Sequence, residues 1–481
     1  MSFESVIGLE IHTQLQTASK LFCGCSTRFG ASPNMHTCPV CLGLPGALPV
    51  LNRRAVELAV KAALALGCTV HPTSIFARKN YFYPDLPKGY QISQYDRPLA
   101  TEGALEFETR GELRRVGIIR VHLEEDAGKS LHEGLPDSDR MTALDFNRSG
   151  VPLIEIVSHP DVRSAADAGE YFSRMRAILV ATGVTDGNME EGSLRCDANI
   201  SVRRAGEPLG VKAEIKNLNS FRHVQKALEY EIDRQISVLE AGGAVEHETR
   251  LWDPAAGRTL SMRSKEDAHD YRYFPEPDLP PLQIAASAID QLRSSLPELP
   301  DARRRRFVAQ YALPDYDAAL LTQSQALAAY FEATAGFSGN AKAASNWIMG
   351  ELTRKMNELG ARIEDVPLQP EMLAGLIRLV DSGTISGPTA KDVFEKMYAS
   401  GRPAAAIVEA EGLGRIDDEA SVEAAVHKVL ASNGEAVKQY RAGKKQTYGF
   451  LVGQVIKSMG GKANPALVNA LVRRELDKDP A

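Results

Sequence analysis

The first clear pattern along the chain is a strict alternation of apolar and polar residues. In Ser5–Gln14, Ile7, Leu9 and Ile11 fall on one side of an extended strand, with Glu10 and His12 side by side on the other. The alternation returns in Leu194–Arg203, where Leu194, Cys196, Ala198, Ile200 and Val202 oppose Arg195, Asp197, Asn199, Ser201 and Arg203. It returns once more where Val211, Ala213 and Ile215 oppose Lys212, Glu214 and Lys216. Three strands thus share an apolar back and a front dense in charge of both signs. A solvated sheet face is one reading, but such faces are usually rich in Thr, Lys and Glu. Arg, Asp, Asn and His gathered beside glycine turns read better as the floor of a polar cleft. Leu105–Phe107, Val116–Leu123 and Val151–Val157 are further strand-like runs. Glu155 interrupts the last of these, and an isolated buried charge is too costly, so it is either paired or functional.

Helical periods separate the strands. Arg53–Leu66 follows an N-cap at Asn52 and stops at Gly67. Ser164–Thr182 carries the apolar stripe Tyr171, Met175, Ile178 and Leu179, and Ser220 opens a helix with Val224, Leu228, Ile232 and Ile236 facing inward. Past Pro280-Pro281 the chain turns alanine-rich and helical, notably over 325–360, with a break around Pro367 and Pro370.

Composition sets bounds on this picture. A chain of 481 residues exceeds one core and points to two to four domains. A net charge of −6 excludes a polycationic nucleic-acid coat. No run of 18 apolar residues predicts a membrane span, and Met1-Ser2-Phe3-Glu4 does not open a signal peptide, so a cytoplasmic protein is expected. Its six cysteines are then thiols or metal ligands. Cys23-x-Cys25 and Cys38-x-x-Cys41 have the spacing of a tetrahedral zinc site; four buried thiols are the alternative. A closed four-cysteine site has no open position, so it is scaffold. Cys68 and Cys196 read as core thiols.

Several polar stretches carry candidate chemistry. Ala77–Tyr95 holds Lys79, Lys88 and four tyrosines among prolines, either a functional loop or a core edge. Glu124-Glu125-Asp126 ends a strand and is a divalent-cation site or an acidic turn. Gly128-Lys129-Ser130 is not a P-loop, because Leu123 stands where the first glycine is required. Arg263–Asp278 mixes cations, acids and aromatics, to hold phosphates or to face solvent. Arg303–Arg306 offers the same two choices on a boundary helix. The stretch Arg441–Ala481 carries eight Lys or Arg against three acids.

Long motifs add a resemblance. Val6–His12, Cys38–Gly46, Lys79–Tyr90, Leu123–Lys129 and Tyr271–Asp278 resemble the B-subunit family of the tRNA-dependent aspartyl/glutamyl amidotransferases, and the likeness runs to the C-terminus. The family implies an α+β fold: a mostly antiparallel-sheet cradle domain (1–292) with a zinc-stapled insertion at about 20–45, a helical domain (293–405) and a small helical tail domain (406–481) that grips tRNA. It implies a ligase that uses ATP to phosphorylate the side-chain carboxyl of misacylated Glu-tRNA(Gln) or Asp-tRNA(Asn). Ammonia then replaces the phosphate. Mg2+ ligands fall at Glu10, His12 and Glu125, and structural Zn2+ at Cys23, Cys25, Cys38 and Cys41. Lys79 and Lys88 lie near the entry of ammonia; Arg195, Asp197, Asn199, Lys216 and Glu155 are candidates for nucleotide and acyl-phosphate contacts. No amidase-type Ser-Ser-Lys motif or glutaminase cysteine is visible, so ammonia is expected from an amidase-type A subunit, joined by a small C subunit. A zinc-ribbon RNA-binding module and a free-standing amino-acid ligase are the competing readings. ATP consumption that requires charged tRNA separates the first, and dependence on a separate glutaminase the second.

Overall fold

The computed structural model describes residues 3–132, 140–264, 271–414, 418–460 and 463–478. Lys265–Asp270 of the mixed segment, and Lys462 and Asp479 of the basic tail, lie outside the described residues. The chain forms two compact units, Met1–Ala302 and Arg303–Ala481.

The first unit is built on a nine-stranded sheet. Its strands are β1 (Phe3–Gln14), β2 (Thr69–Val70), β3 (Ala100–Thr109), β4 (Glu112–Glu125), β5 (Pro152–Ser158), β6 (Leu194–Arg204), β7 (Ala213–Leu218), β8 (Glu248–Asp253) and β9 (Arg258–Ser264). They lie in the order β9-β8-β7-β6-β1-β5-β4-β3-β2. Only β7 and β8 run parallel; the other neighbours are antiparallel. This is the mostly antiparallel sheet that the alternation implied, with β1 at its centre.

Three helices bury the apolar backs of the strands: α1 (Arg53–Ala65), α2 (Ala165–Ala181) and α3 (Phe221–Glu240). Ile7, Leu9, Ile11, Ile154, Ile156, Ala198 and Ile200 join Leu58, Tyr171, Phe172, Met175 and Val224 in one core. The expected caps form: the Asn52, Ser164 and Ser220 side chains accept from the backbone amides of Arg54, Asp167 and His223. A small three-stranded sheet (Phe274–Pro275, Phe76–Asn80, Tyr90–Gln94) sits against the end of β4. Gln94 fastens it there, its Oε1 accepting from the Leu123 amide at 3.0 Å.

α3 departs from the expected stripe. Val224 and Leu228 are buried, but Ile232 and Ile236 are only half-buried and Glu231 and Gln235 are fully buried instead. The reason is the β8–β9 hairpin, which brings charge to this part of the helix. Arg234 Nη2 lies 2.6 Å from Glu231 Oε1, Thr259 donates to Oε2 at 3.0 Å, and Arg250 Nε lies 3.4 Å from Oε2.

The second unit is helical throughout its described residues, apart from an isolated bridge position at Ala463, and holds two separate hydrophobic clusters. One runs from Phe307 to Val408 and the other from Val422 to Leu476. Within the arginine run, Arg304 grips Asp315 through two nitrogens at 2.6 Å, and Arg306 lies 2.6 Å from Glu332. Those two guanidiniums are committed to intramolecular pairs, which weakens their reading as phosphate contacts. Among the described residues no helix is long and apolar enough to cross a membrane.

Removing one partner of a buried ion network leaves the remaining charges uncompensated, at a cost of about 3–5 kcal/mol. Glu231→Gln is therefore expected to lower the unfolding free energy of the first unit by about that amount, read from its denaturant midpoint. An unchanged midpoint would show that the network contributes nothing.

Candidate active site and metal centres

Strand register assembles the site. On the front of the sheet His12 pairs across to Glu155, and Glu155 pairs across to His122. Glu124, two residues beyond His122, shares that face. The result is a quartet in which His122, Glu124 and Glu155 are buried and His12 is half-buried. His12 Nε2 lies 3.3 Å from Glu155 and 4.0 Å from Glu124, while His122 Nε2 lies 3.6 Å from Glu155 and 3.5 Å from Glu124. Burial opposes a charge on His12, but its hydrogen bond to Glu155 and the fields of Glu155 and Glu124 outweigh this and lift the imidazole to about 9. Burial likewise disfavours charge on Glu155 and Glu124; the histidines and Lys79 prevail, and both carboxyls sit below their usual range. The candidate ligand atoms of His12, Glu124 and Glu155 all lie within 4.8 Å of one another, an N,O,O set suited to a divalent cation.

Of the expected magnesium set, the structure brings Glu10 and His12 to this face and Glu125 to the other. Leu123 is wholly buried in the core, so Glu124 points forward and Glu125 points back. Glu125 Oε1 accepts from the Ile92 amide at 2.9 Å and pairs with Lys88. It lines a recess of about 150 Å³ with Lys20, Phe22 and Cys41. Gly43 leaves room there for Lys88: a Cβ on it would stand 2.3 Å from the Lys88 Cγ. Glu10 stands beside the quartet, accepting from Asn199 Nδ2 at 2.8 Å; burial, then Glu155, raises its carboxyl above the usual range.

The other candidates separate in the same way. Lys79 belongs to the quartet: Glu124 and Glu155 outweigh its burial and hold its ammonium protonated beyond the ordinary range, 5.0 Å from the Tyr271 ring centre. Lys88 belongs to Glu125. On β6, Arg195, Asp197 and Asn199 stand opposite His12, Glu10 and Gly8. Asp197 pairs with Lys216 at 2.8 Å. Arg195 donates to the buried Asp126 at 2.9 Å, with Gln14 at 2.8 Å on the other oxygen. Asp126 remains below the usual carboxyl range despite burial, because Arg195 and Arg148 face it. Beyond the end of β1 opens a cleft of about 900 Å³ lined by Arg28, Lys129, Arg148, Arg195 and Asn219 among others.

Sequence reasoning missed His122 and did not separate Glu124 and Asp126 from Glu125. A signal was present: His122-Leu123-Glu124 mirrors Glu10-Ile11-His12, with the core residue in the middle of each.

The four clustered cysteines converge, their sulfurs within 4.8 Å of one another. The Cys38 amide donates to Cys41 Sγ at 3.1 Å. A thiol hydrogen bond from Cys23, helped by the nearby Lys20 ammonium, holds Cys41 down to about 4. The convergence of four sulfurs fits a structural metal.

Residues 5–290 match the GatB/GatE catalytic domain and residues 329–476 the GatB domain. The chain belongs to the GatB family. It is 55% identical over 477 residues to the B subunit of the aspartyl/glutamyl-tRNA(Asn/Gln) amidotransferase of Trichlorobacter lovleyi, covering 99% of this chain and 100% of that one. The protein of the same name from Carboxydothermus hydrogenoformans is 55% identical over 99% of both chains, and that from Geobacter sulfurreducens 52% identical over 99% of this chain and 100% of the relative. In this member of the GatB family the catalytic domain match spans the sheet, the quartet and the cysteine cluster.

A metal at the cysteine cluster would supply folding free energy on the order of 10 kcal/mol to a loop without regular structure. Cys38→Ser is therefore expected to lose bound metal by elemental analysis and to melt at lower temperature. Wild-type protein purified with no metal, yet equally stable, would contradict the assignment.

Proposed function

We propose that this chain is the phosphorylating and amide-forming subunit of a glutamine-hydrolysing tRNA amidotransferase. Its substrate is Glu-tRNA(Gln), Asp-tRNA(Asn) or both, and its place is in translation. The observation that carries the reading is the His12–Glu124–Glu155 cluster on the charged floor of a chain belonging to this family. A magnesium ion held there, with Glu10 beside it, would neutralise phosphate charge during transfer.

The chain's own groups divide the remaining work. Arg195, Asp197, Asn199 and Lys216 form a row of donors and charges along β6 and β7 for the nucleotide and the acyl phosphate. The misplaced side-chain carboxylate attacks the γ-phosphorus of ATP and ADP leaves. Ammonia then attacks the activated carbonyl and phosphate departs. Lys79, at the quartet, supplies a cation for the phosphate oxygens. Lys88 and Glu125, on the opposite side of β4, lie on the route by which ammonia arrives. Zinc is the metal proposed for Cys23, Cys25, Cys38 and Cys41, since four thiolates close a tetrahedral shell around it.

The partners are an amidase-type A subunit that makes ammonia, a small C subunit and the misacylated tRNA, in the cytoplasm. The domain reading is a cradle (1–292), a helical domain (293–405) and a tail domain (406–481). The separate cores support a distinct tail domain, although Ile407 and Val408 still pack in the core of the helical domain before it. Exposed Lys444 and Lys445 in the tail suit phosphate contact.

Glu124→Gln in the assembled complex is expected to slow amidation of misacylated tRNA by about 10²–10³-fold, the scale for losing one preorganised charge-stabilising group. Basal glutamine hydrolysis by the partner should persist, and ammonium chloride should not rescue the variant, because the missing step precedes ammonia. Amidation at the wild-type rate with ammonium chloride would refute the role of the quartet.

A further inference from the structure

One member of the quartet has no role in the proposed reaction. His122 is almost fully buried, with 4% of its side chain exposed. Its Nε2 faces two carboxylates at once, Glu124 at 3.5 Å and Glu155 at 3.6 Å, while its Nδ1 is buried without a hydrogen-bond partner. Carboxylate oxygens only accept, so the nitrogen between them serves by carrying hydrogen. The contacts are longer than ideal hydrogen bonds, and they are aimed at one oxygen from each acid.

We propose that His122 is the positioning residue of the cation site, through the hydrogen on its Nε2. It sits on β4 across from Glu155 and on the same face as Glu124, so one ring spans carboxylates from two strands. By bridging them it holds both acids against mutual repulsion: it shares Glu155 Oε2 with His12 and takes Glu124 Oε2, so that Glu124 Oε1 is the oxygen turned to His12. It does not touch the reacting atoms. Groups of this kind are typically worth about 10–100-fold in metal affinity when removed. This inference rests on the reading of His12, Glu124 and Glu155 as the cation site.

The test uses the assembled complex and Mn2+ as probe, with free Mn2+ followed by electron paramagnetic resonance. His122→Leu fills the space without a donor and is expected to weaken Mn2+ binding by about 10–100-fold. His122→Gln can place an amide N–H near the Nε2 position and is expected to recover most of that loss. Glu124→Gln is the reference for the site itself. If Glu124→Gln weakens binding and His122→Leu does not, the positioning role is wrong and the site stands. If neither variant changes it, the site reading fails as well. Should His122→Leu not fold, nitrogen chemical shifts of 15N-histidine wild-type protein decide the matter. Hydrogen on His122 Nε2 upholds the inference, and a bare Nε2 overturns it.

Discussion

Everything on the front of the sheet depends on charge being met by opposite charge away from water. Burial alone would neutralise carboxyls such as Glu124, Glu155 and Asp126. They stay ionised because His12, His122 and Lys79 face the first two, and Arg195 and Arg148 face the third. Such networks are weak sources of net stability, since desolvation consumes most of the Coulombic gain. What they provide is a set of fixed charges in a low-dielectric setting, where each acts on a neighbouring charge more strongly than it would in water. The apolar back of the same strands, packed on α1, α2 and α3, supplies the stability that the front does not.

Much of this was legible in the sequence, because the relevant signals are local. Alternation in β1 and β6 gave both faces of the sheet centre, and the cap residues Asn52, Ser164 and Ser220 set helix starts by hydrogen bonds a few residues long. The cysteine spacing carried its own geometry. That Glu124 and Glu125 face opposite ways was legible too, through the core position of Leu123; the magnesium set expected from the family resemblance named Glu125. Strand pleat sends those two neighbours to opposite faces, where they meet different partners: Glu124 the two histidines, Glu125 Lys88.

What could not be read depended on partners remote in sequence. Glu231 is inside because Arg250 and Thr259 reach it from a hairpin later in the chain, and Gln235 donates to Glu231 and to the Ile200 carbonyl, so the helix period alone favoured Ile232 and Ile236. The arginine run before the helical unit looked available for phosphate until Asp315 and Glu332 were found beside it. His122 gained meaning only from the register of β4 against β5, which places it across from Glu155.

The central claim is that one imidazole, His12, joins Glu124 and Glu155 in holding the cation. Pulsed electron paramagnetic resonance of Mn2+ bound to the complex, with 15N-histidine incorporated, reads this directly. A coupled imidazole nitrogen that vanishes in His12→Gln, at a Mn2+ concentration that fills the site, is the expected result. A spectrum with no histidine nitrogen, or one unchanged by His12→Gln, would place the cation elsewhere.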